Sequence, residues 1–236
     1  MVRLKEGMIF GKPSGKMKNV VYRIMNGQPF ASKRPLKYNA SKSKAAVSQR
    51  AKFAVAVEFA KYINSISVLS NIWKAAKIKG TTSFNRLIKF NLKYVNEKSP
   101  TMDNLIIPGD CPKNLLKFPS GDLLFCPEEK MVKIIFSSTA EETDYNRDYD
   151  LVFVFMFYNP VNKKEKYFLL DYRQENLKLN PEKNEIIINL DLTVLKKASK
   201  YNYLVIYFSA ITCKSGNLSY LWSNTLAKEF PLGKII

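Results

Sequence analysis

Positions 151–158 read Leu-Val-Phe-Val-Phe-Met-Phe-Tyr, apolar at every step. A strand wetted on one side alternates, so a run with no polar positions predicts a central strand covered on both faces. Runs of similar character recur after position 99, at Met131–Ser137, Lys166–Asp171, Glu185–Leu192, Tyr203–Ile211 and Ser219–Ser223, with weaker ones at Leu115–Phe118 and Leu123–Phe125. Turn residues such as Asn159-Pro160 and Ser215-Gly216 separate them. This punctuation predicts an antiparallel β-sandwich, immunoglobulin-like in type, over residues 99–236.

Before position 99 the pattern is different. Val20–Met25 has strand composition, Asn26-Gly27 is a tight-turn signal, and Gln28–Ser32 is the return strand of a hairpin. Pro29 lacks a ladder donor, which predicts an edge position. A helix is expected over Ser43–Ile63, where Val47, Ala51, Ala54 and Phe53, Val57, Ala60 recur at helical spacing without Gly or Pro. A second is expected over Phe84–Val95, with Ser83 as N-cap. There Phe84, Leu87, Ile88, Asn91, Leu92 and Val95 line one side, and Arg86, Lys89 and Lys93 form a basic stripe on another. Trp73 and Trp222 are expected as core or interface anchors. The fold class is therefore α+β: a basic arm, hairpin and helical region over 1–98, then the sandwich.

Charge sharpens this division. The chain has 38 Lys/Arg and 20 Asp/Glu, for +18. Residues 1–98 hold 21 of the cations and only Glu6, Glu58 and Glu97 as acids, while residues 99–236 hold 17 of each sign. Solubility does not require such segregation, but a polyanionic partner does. The expected partner is nucleic acid, DNA or RNA, or an acidic protein surface. The candidate contacts are Lys12, Lys16, Lys18, Arg23, Lys33, Arg34, Arg50 and Lys52, with Arg86, Lys89 and Lys93 secondary. Tyr22, Phe30 and Tyr38 offer rings for stacking on bases or sugars, or for packing on the following helix. No helix-turn-helix, zinc-finger or RNP motif accompanies them, so the expected contact is with backbone and shape.

Other chemistry is poorly supported. Gly11-Lys12-Pro13-Ser14-Gly15-Lys16 has three residues between its glycines, one fewer than a P-loop. Met17 stands where the magnesium-binding hydroxyl belongs, and a strand is expected where a helix should begin. Histidine is absent, which removes Ser–His and Cys–His catalysis. Cys111, Cys126 and Cys213 form neither a C-x-x-C pair nor a disulfide framework. Within the acidic stretch Glu141, Glu142, Asp144, Asp148 and Asp150, the alternation Asp144, Asn146, Asp148 resembles the start of a calcium loop, but Tyr149 replaces its glycine and Phe155 its final glutamate. A solvated turn is the simpler reading; the sharper one is a docking loop for a neighbouring subunit's basic arm. No enzyme activity, cofactor or metal is expected. Neither a membrane-spanning run nor the apolar core of a signal peptide is visible, so the expected location is the cytoplasm or the inside of a particle.

Several segments taken in order resemble an uncharacterised family of small basic proteins frequent in Bacteroidetes genomes. They are Gly11–Val21, Arg34-Pro35 with Gln49–Phe53, Gly80–Leu92, Tyr158–Lys164, and Ser223 with Leu232-Gly233. Where that family often carries a Trp before the hairpin glycine, this chain has Met25-Asn26-Gly27. The resemblance implies an architecture and no activity. From the charge split, the expected function is that of a non-enzymatic structural or binding protein of a phage-related nucleoprotein assembly. The alternative is a subunit of a polymer or virion-like particle whose arm docks on neighbours without nucleic acid. In both the chain is expected to be oligomeric.

Overall fold

The computed structural model describes residues 2–3, 15–25, 27–34, 40–76, 82–109, 115–116, 118, 121–136, 148–178, 185–213 and 220–232. Compactness divides the chain into two units, Met1–Val47 and Ser48–Ile236. The expected boundary near Ser99 is not where the division falls. The reason lies in the core, because the helices after Ser48 and the outer face of the largest sheet share one apolar cluster.

The first unit contains a four-stranded antiparallel sheet, formed by β1 (Val2–Arg3), β2 (Gly15–Met17), β3 (Val20–Met25) and β4 (Gln28–Lys33) in the order β1-β4-β3-β2.

The second unit begins within helix α1, Lys44–Ser65. The Ser43 hydroxyl accepts the Ala46 N–H at 3.3 Å and caps the helix start. The first fully buried residue of α1 is Val55, followed by Ala56, Phe59, Ala60 and Ile63 at helical spacing. The chain then bends by 103° at Ile66 into α2, Ser67–Ala75. Helix α3, Ser83–Asn91, continues as a 3-10 turn over Leu92–Tyr94. Its N-cap is Thr82 rather than Ser83, since the Thr82 hydroxyl accepts the Asn85 N–H at 3.2 Å. Among the described residues no single helix is long and apolar enough to cross a membrane.

The remaining strands are β5 (Gly121–Cys126), β6 (Met131–Phe136), β7 (Asp148–Pro160), β8 (Phe168–Lys178), β9 (Glu185–Asn189), β10 (Tyr201–Cys213), β11 (Tyr220–Trp222) and β12 (Leu226–Pro231). The large sheet runs β11-β10-β7-β8, with β12 also beside β10; the small sheet runs β5-β6-β9. The run expected over Glu185–Leu192 ends at Asn189, and helix α4, Leu192–Ala198, takes over. The weak strand expected at Leu115–Phe118 is a single bridge from Leu115 to Trp222.

Strand β7 is central, as its composition predicts. Its odd residues Leu151, Phe153, Phe155 and Phe157 face the small sheet, where they join Val132, Ile134 and Ile188. Its even residues Val152, Val154 and Met156 face the helices, with Phe59, Ile63 and Trp73. Burial of each large apolar side chain contributes on the order of 1.5–3 kcal/mol. Covering both faces therefore makes β7 the main contributor to two cores at once.

Beside β10 the register slips by one residue between Phe208↔Leu226 and Ile211↔Trp222, leaving Ser223-Asn224-Thr225 opposite Ser209-Ala210. This is a β-bulge. Ser223 holds it: its N–H donates to Ala210 O at 2.8 Å, and its hydroxyl accepts the Ala210 N–H at 3.0 Å.

An irregular strap, residues 99–108, runs through the helical layer with its carbonyls satisfied one by one. Tyr207 Oη donates to Thr101 O at 2.6 Å, Asn91 Nδ2 to Leu105 O at 3.0 Å, Trp73 Nε1 to Ile106 O at 2.8 Å, and Trp222 Nε1 to Pro108 O at 3.0 Å. Both tryptophans are thus core anchors, each using its one donor on a backbone that has no ladder of its own.

Candidate nucleic-acid interface

The first unit is a sheet whose two faces differ in kind. Strand alternation and register decide which side chain lies where. Arg23 pairs with Phe30, and Phe30 pairs in turn with Arg3. Lys16 pairs with Val21, and Val21 with Ser32. Beyond β4 the ladder continues for one more bond, from the Arg34 N–H to Asn19 O at 2.7 Å. Lys16, Val21, Arg23, Gln28, Phe30, Ser32 and Arg34, with the register position of Arg3, therefore share one face. Val20, Tyr22, Ile24, Pro29 and Ala31 share the other, joined at its end by Lys33.

Lys16, Arg23 and Arg34 are exposed, and Phe30 is half-buried. No ion pair joins any of them to an acid among the described residues. An unpaired cation on a sheet face keeps its charge available for an anion in solution.

The turns follow from local chemistry. Met25 pairs with Gln28 across the two-residue Asn26-Gly27 connection, and Gly27 has φ +77°, a conformation that costs glycine nothing. Met17 pairs with Val20 across Lys18-Asn19, where Lys18 carries φ +48° and is exposed. Lys16 sits in a strand that turns back at Lys18, so no helix N-terminus stands beside it to hold a phosphate. Strand β4 is not an edge along its whole length, because β1 covers Phe30 and Ala31. Lys12 and Tyr38 lie outside the described residues.

The remaining candidate cations belong to the second unit. Arg50 and Lys52 are two positions apart on α1, about 200° around the axis, so they face different sides. Lys52 lies seven residues before Phe59, on the stripe that becomes the core, and is half-buried. Lys89 and Lys93 are exposed, with Lys93 Nζ 4.4 Å from the Tyr94 ring centroid. Arg86 is a correction. It is 8% exposed, and its guanidinium donates to Trp73 O at 2.9 Å, at the C-terminal end of α2 where a cation is favoured. The spacing that suggested a basic stripe placed Arg86 over α2 instead of in water.

Of the acidic candidates, Glu141, Glu142 and Asp144 lie outside the described residues. Asp148 is exposed at the start of β7. Asp150 accepts from Gln174 Nε2 at 3.2 Å and Asn176 Nδ2 at 3.1 Å on β8, which fixes its carboxylate across the ladder.

Two concave sites lie among the described residues of the second unit. A cleft of about 450 Å³ opens at the bulge, lined by Leu115, Phe118, Ile134, Phe208, Thr225 and Leu226 among others, and none of the described residues lining it is ionisable. A shallower one, about 340 Å³, lies by Glu58, Tyr62 and Lys166. Burial, then Asp171 and Tyr172, push the Tyr62 phenol far above its ordinary range, so it stays protonated and is a poor base.

The most informative pairing, Arg23 with Phe30, was within reach of the sequence. A two-residue turn at Asn26-Gly27 fixes Met25 opposite Gln28, and counting back gives Arg23 opposite Phe30. The position of Arg3 beside Phe30 carried no such signal, because β1 joins the sheet from a distance. No family model, curated protein or solved structure matches the chain.

Proposed function

We propose that this protein is a non-enzymatic structural or binding protein of a nucleoprotein assembly, gripping nucleic-acid backbone through its basic N-terminal part. The observation that carries this is the shared exposed face of Lys16, Arg23 and Arg34, unopposed by acid among the described residues. In the assembly the two facing antiparallel sheets, a variant of the immunoglobulin-like sandwich in our reading, make the protein contacts. The test is affinity for mixed-sequence DNA and RNA as a function of salt. With six or more phosphates neutralised, log K falls against log salt with a slope of about −4 to −5 or steeper. The triple variant Lys16→Gln/Arg23→Gln/Arg34→Gln flattens that slope by about 2 to 3. A wild-type response independent of salt would refute the reading.

One observation favours the second reading, a polymer or particle subunit whose arm docks on neighbouring copies. The opposite face of the same sheet is apolar up to Lys33 at its end, and Ile24 on it is 41% exposed. In this reading Asp148 and the acidic stretch before it receive a neighbour's cations. Light scattering of nuclease-treated protein decides: large oligomers persist, and deletion of residues 1–42 abolishes them.

A further inference from the structure

The cationic face of the N-terminal sheet has a ring at its centre. Phe30 lies on the middle of β4, with Arg23 directly across on β3 and Arg3 directly across on β1. Neighbouring strands lie about 4.8 Å apart, so the Arg23 position flanks the ring at that spacing. Ser32 follows Phe30 on the same face, and Lys16 lies two strands over from Ser32. Tyr22, the other aromatic of the hairpin, is on the opposite face and cannot share the platform.

From this we infer that the sheet binds single-stranded nucleic acid in preference to duplex, with Phe30 stacking on an unpaired base while Arg23, Lys16 and Arg34 hold the flanking phosphates. The inference rests on the nucleic-acid reading above and narrows it to one class of ligand. The physical reason is access. In a duplex both π-faces of every base are occupied by its neighbours, and only the edges and the backbone can be touched. A ring on a flat sheet has no edge chemistry to offer, since it neither donates nor accepts. It becomes useful only to a base that has left the stack, where each base–aromatic contact is worth about tenfold or more in affinity. A cation beside the ring suits a strand that crosses the sheet, because each base brings a phosphate on either side. Serine at 32 leaves a neutral, low position between Phe30 and Arg34, over which a sugar can pass without a clash.

The experiment uses the full chain and four probes at matched salt: oligo-dT, oligo-U, a mixed-sequence duplex, and polyphosphate, which has charge but no bases. Wild type is expected to bind at least one single strand about tenfold or more tightly than duplex. Phe30→Ala loses that margin, about tenfold for the single strands, and leaves duplex and polyphosphate affinities unchanged. Phe30→Trp retains the margin and keeps the strand's packing, so a folding defect in Phe30→Ala cannot be mistaken for lost stacking. A 2-aminopurine placed within the oligonucleotide is quenched on binding wild type and Phe30→Trp and recovers with Phe30→Ala. The oligo-dT and oligo-U arms show which sugar is accepted, and preference for either supports the inference. Equal affinity for single strand, duplex and polyphosphate, with Phe30→Ala silent, overturns the inference while the charge-based reading stands. Failure to bind any of the four, at any salt, overturns both.

Discussion

Asn104 Nδ2 donates to Asn91 Oδ1 at 2.9 Å, and both side chains are withdrawn completely from water. The same Asn91 oxygen accepts the Leu105 N–H at 2.7 Å, while its amide donates to Leu87 O and Leu105 O. Asn104 Oδ1 in turn accepts the Thr101 N–H at 2.8 Å. Two asparagines thus give the strap between α3 and the large sheet the hydrogen bonds that a ladder would otherwise supply. Asn91→Ala strands several of these groups at once and is expected to destabilise the protein by about 3 kcal/mol. Urea denaturation measures this. Adding Asn104→Ala costs much less than its single-variant value, because the two share one network.

Tyr207 is fully buried and gives its proton to Thr101 O. Burial, then the charge of Asp103, push its phenol well above the ordinary value. Burial does the same to Tyr62, Tyr158 and Tyr201. The folded state therefore holds these protons more tightly than the unfolded chain does. The resulting stability is fully present below about pH 10, the unfolded value, and is lost as pH rises above it. Absorbance at 295 nm is expected to show these tyrosines ionising only as the chain unfolds. Tyr207→Phe costs about 1 kcal/mol at neutral pH, through the lost bond to Thr101 O, which keeps the Asn104 N–H as its remaining donor, and makes the alkaline loss shallower.

Arg86 separates structural from binding charge. Arg86→Met is expected to destabilise the protein by about 2–3 kcal/mol, because Trp73 O loses a charged donor inside the fold. Its affinity for nucleic acid stays at the wild-type value, which the salt titration checks. Lys89→Gln and Lys93→Gln shift stability by less than about 0.5 kcal/mol.

Lys18 occupies a left-handed turn position that favours glycine. Lys18→Gly is expected to stabilise the β2–β3 hairpin by up to about 1 kcal/mol, read as slower amide exchange at Val20–Met25. Lys18→Val, β-branched at the same φ, has the opposite effect.

How far the chain could be read in advance depended on which force set each element. The hairpin at Asn26-Gly27 and the body of β7 were legible because local turn chemistry and composition decide them. The break at Ile66 was not. Neither Gly nor Pro marks it, and the turn from α1 into α2 is made by the need to lay two apolar stripes on one sheet. Strand β12 was missed because Leu226–Pro231 alternates weakly and carries Lys228 and Glu229; its pairing to β10 over Tyr203–Phe208 is what makes it a strand. Arg86 was misread because spacing gives a helix face without saying what covers it. At the candidate interface the charge was plain from composition. The division of cations and apolar residues between two faces needed the register.

A strand as apolar as β7 is dangerous whenever it stands alone. As the chain leaves the ribosome, helices α1 to α3 have already emerged and can shelter one side of it. The partner strand that begins at Tyr201 is then still to come, and the small sheet lacks β9. Nascent chains stalled or cut before Tyr201 should therefore clump, and adding back the segment from Tyr201 to Pro231 should rescue them only while they are being made.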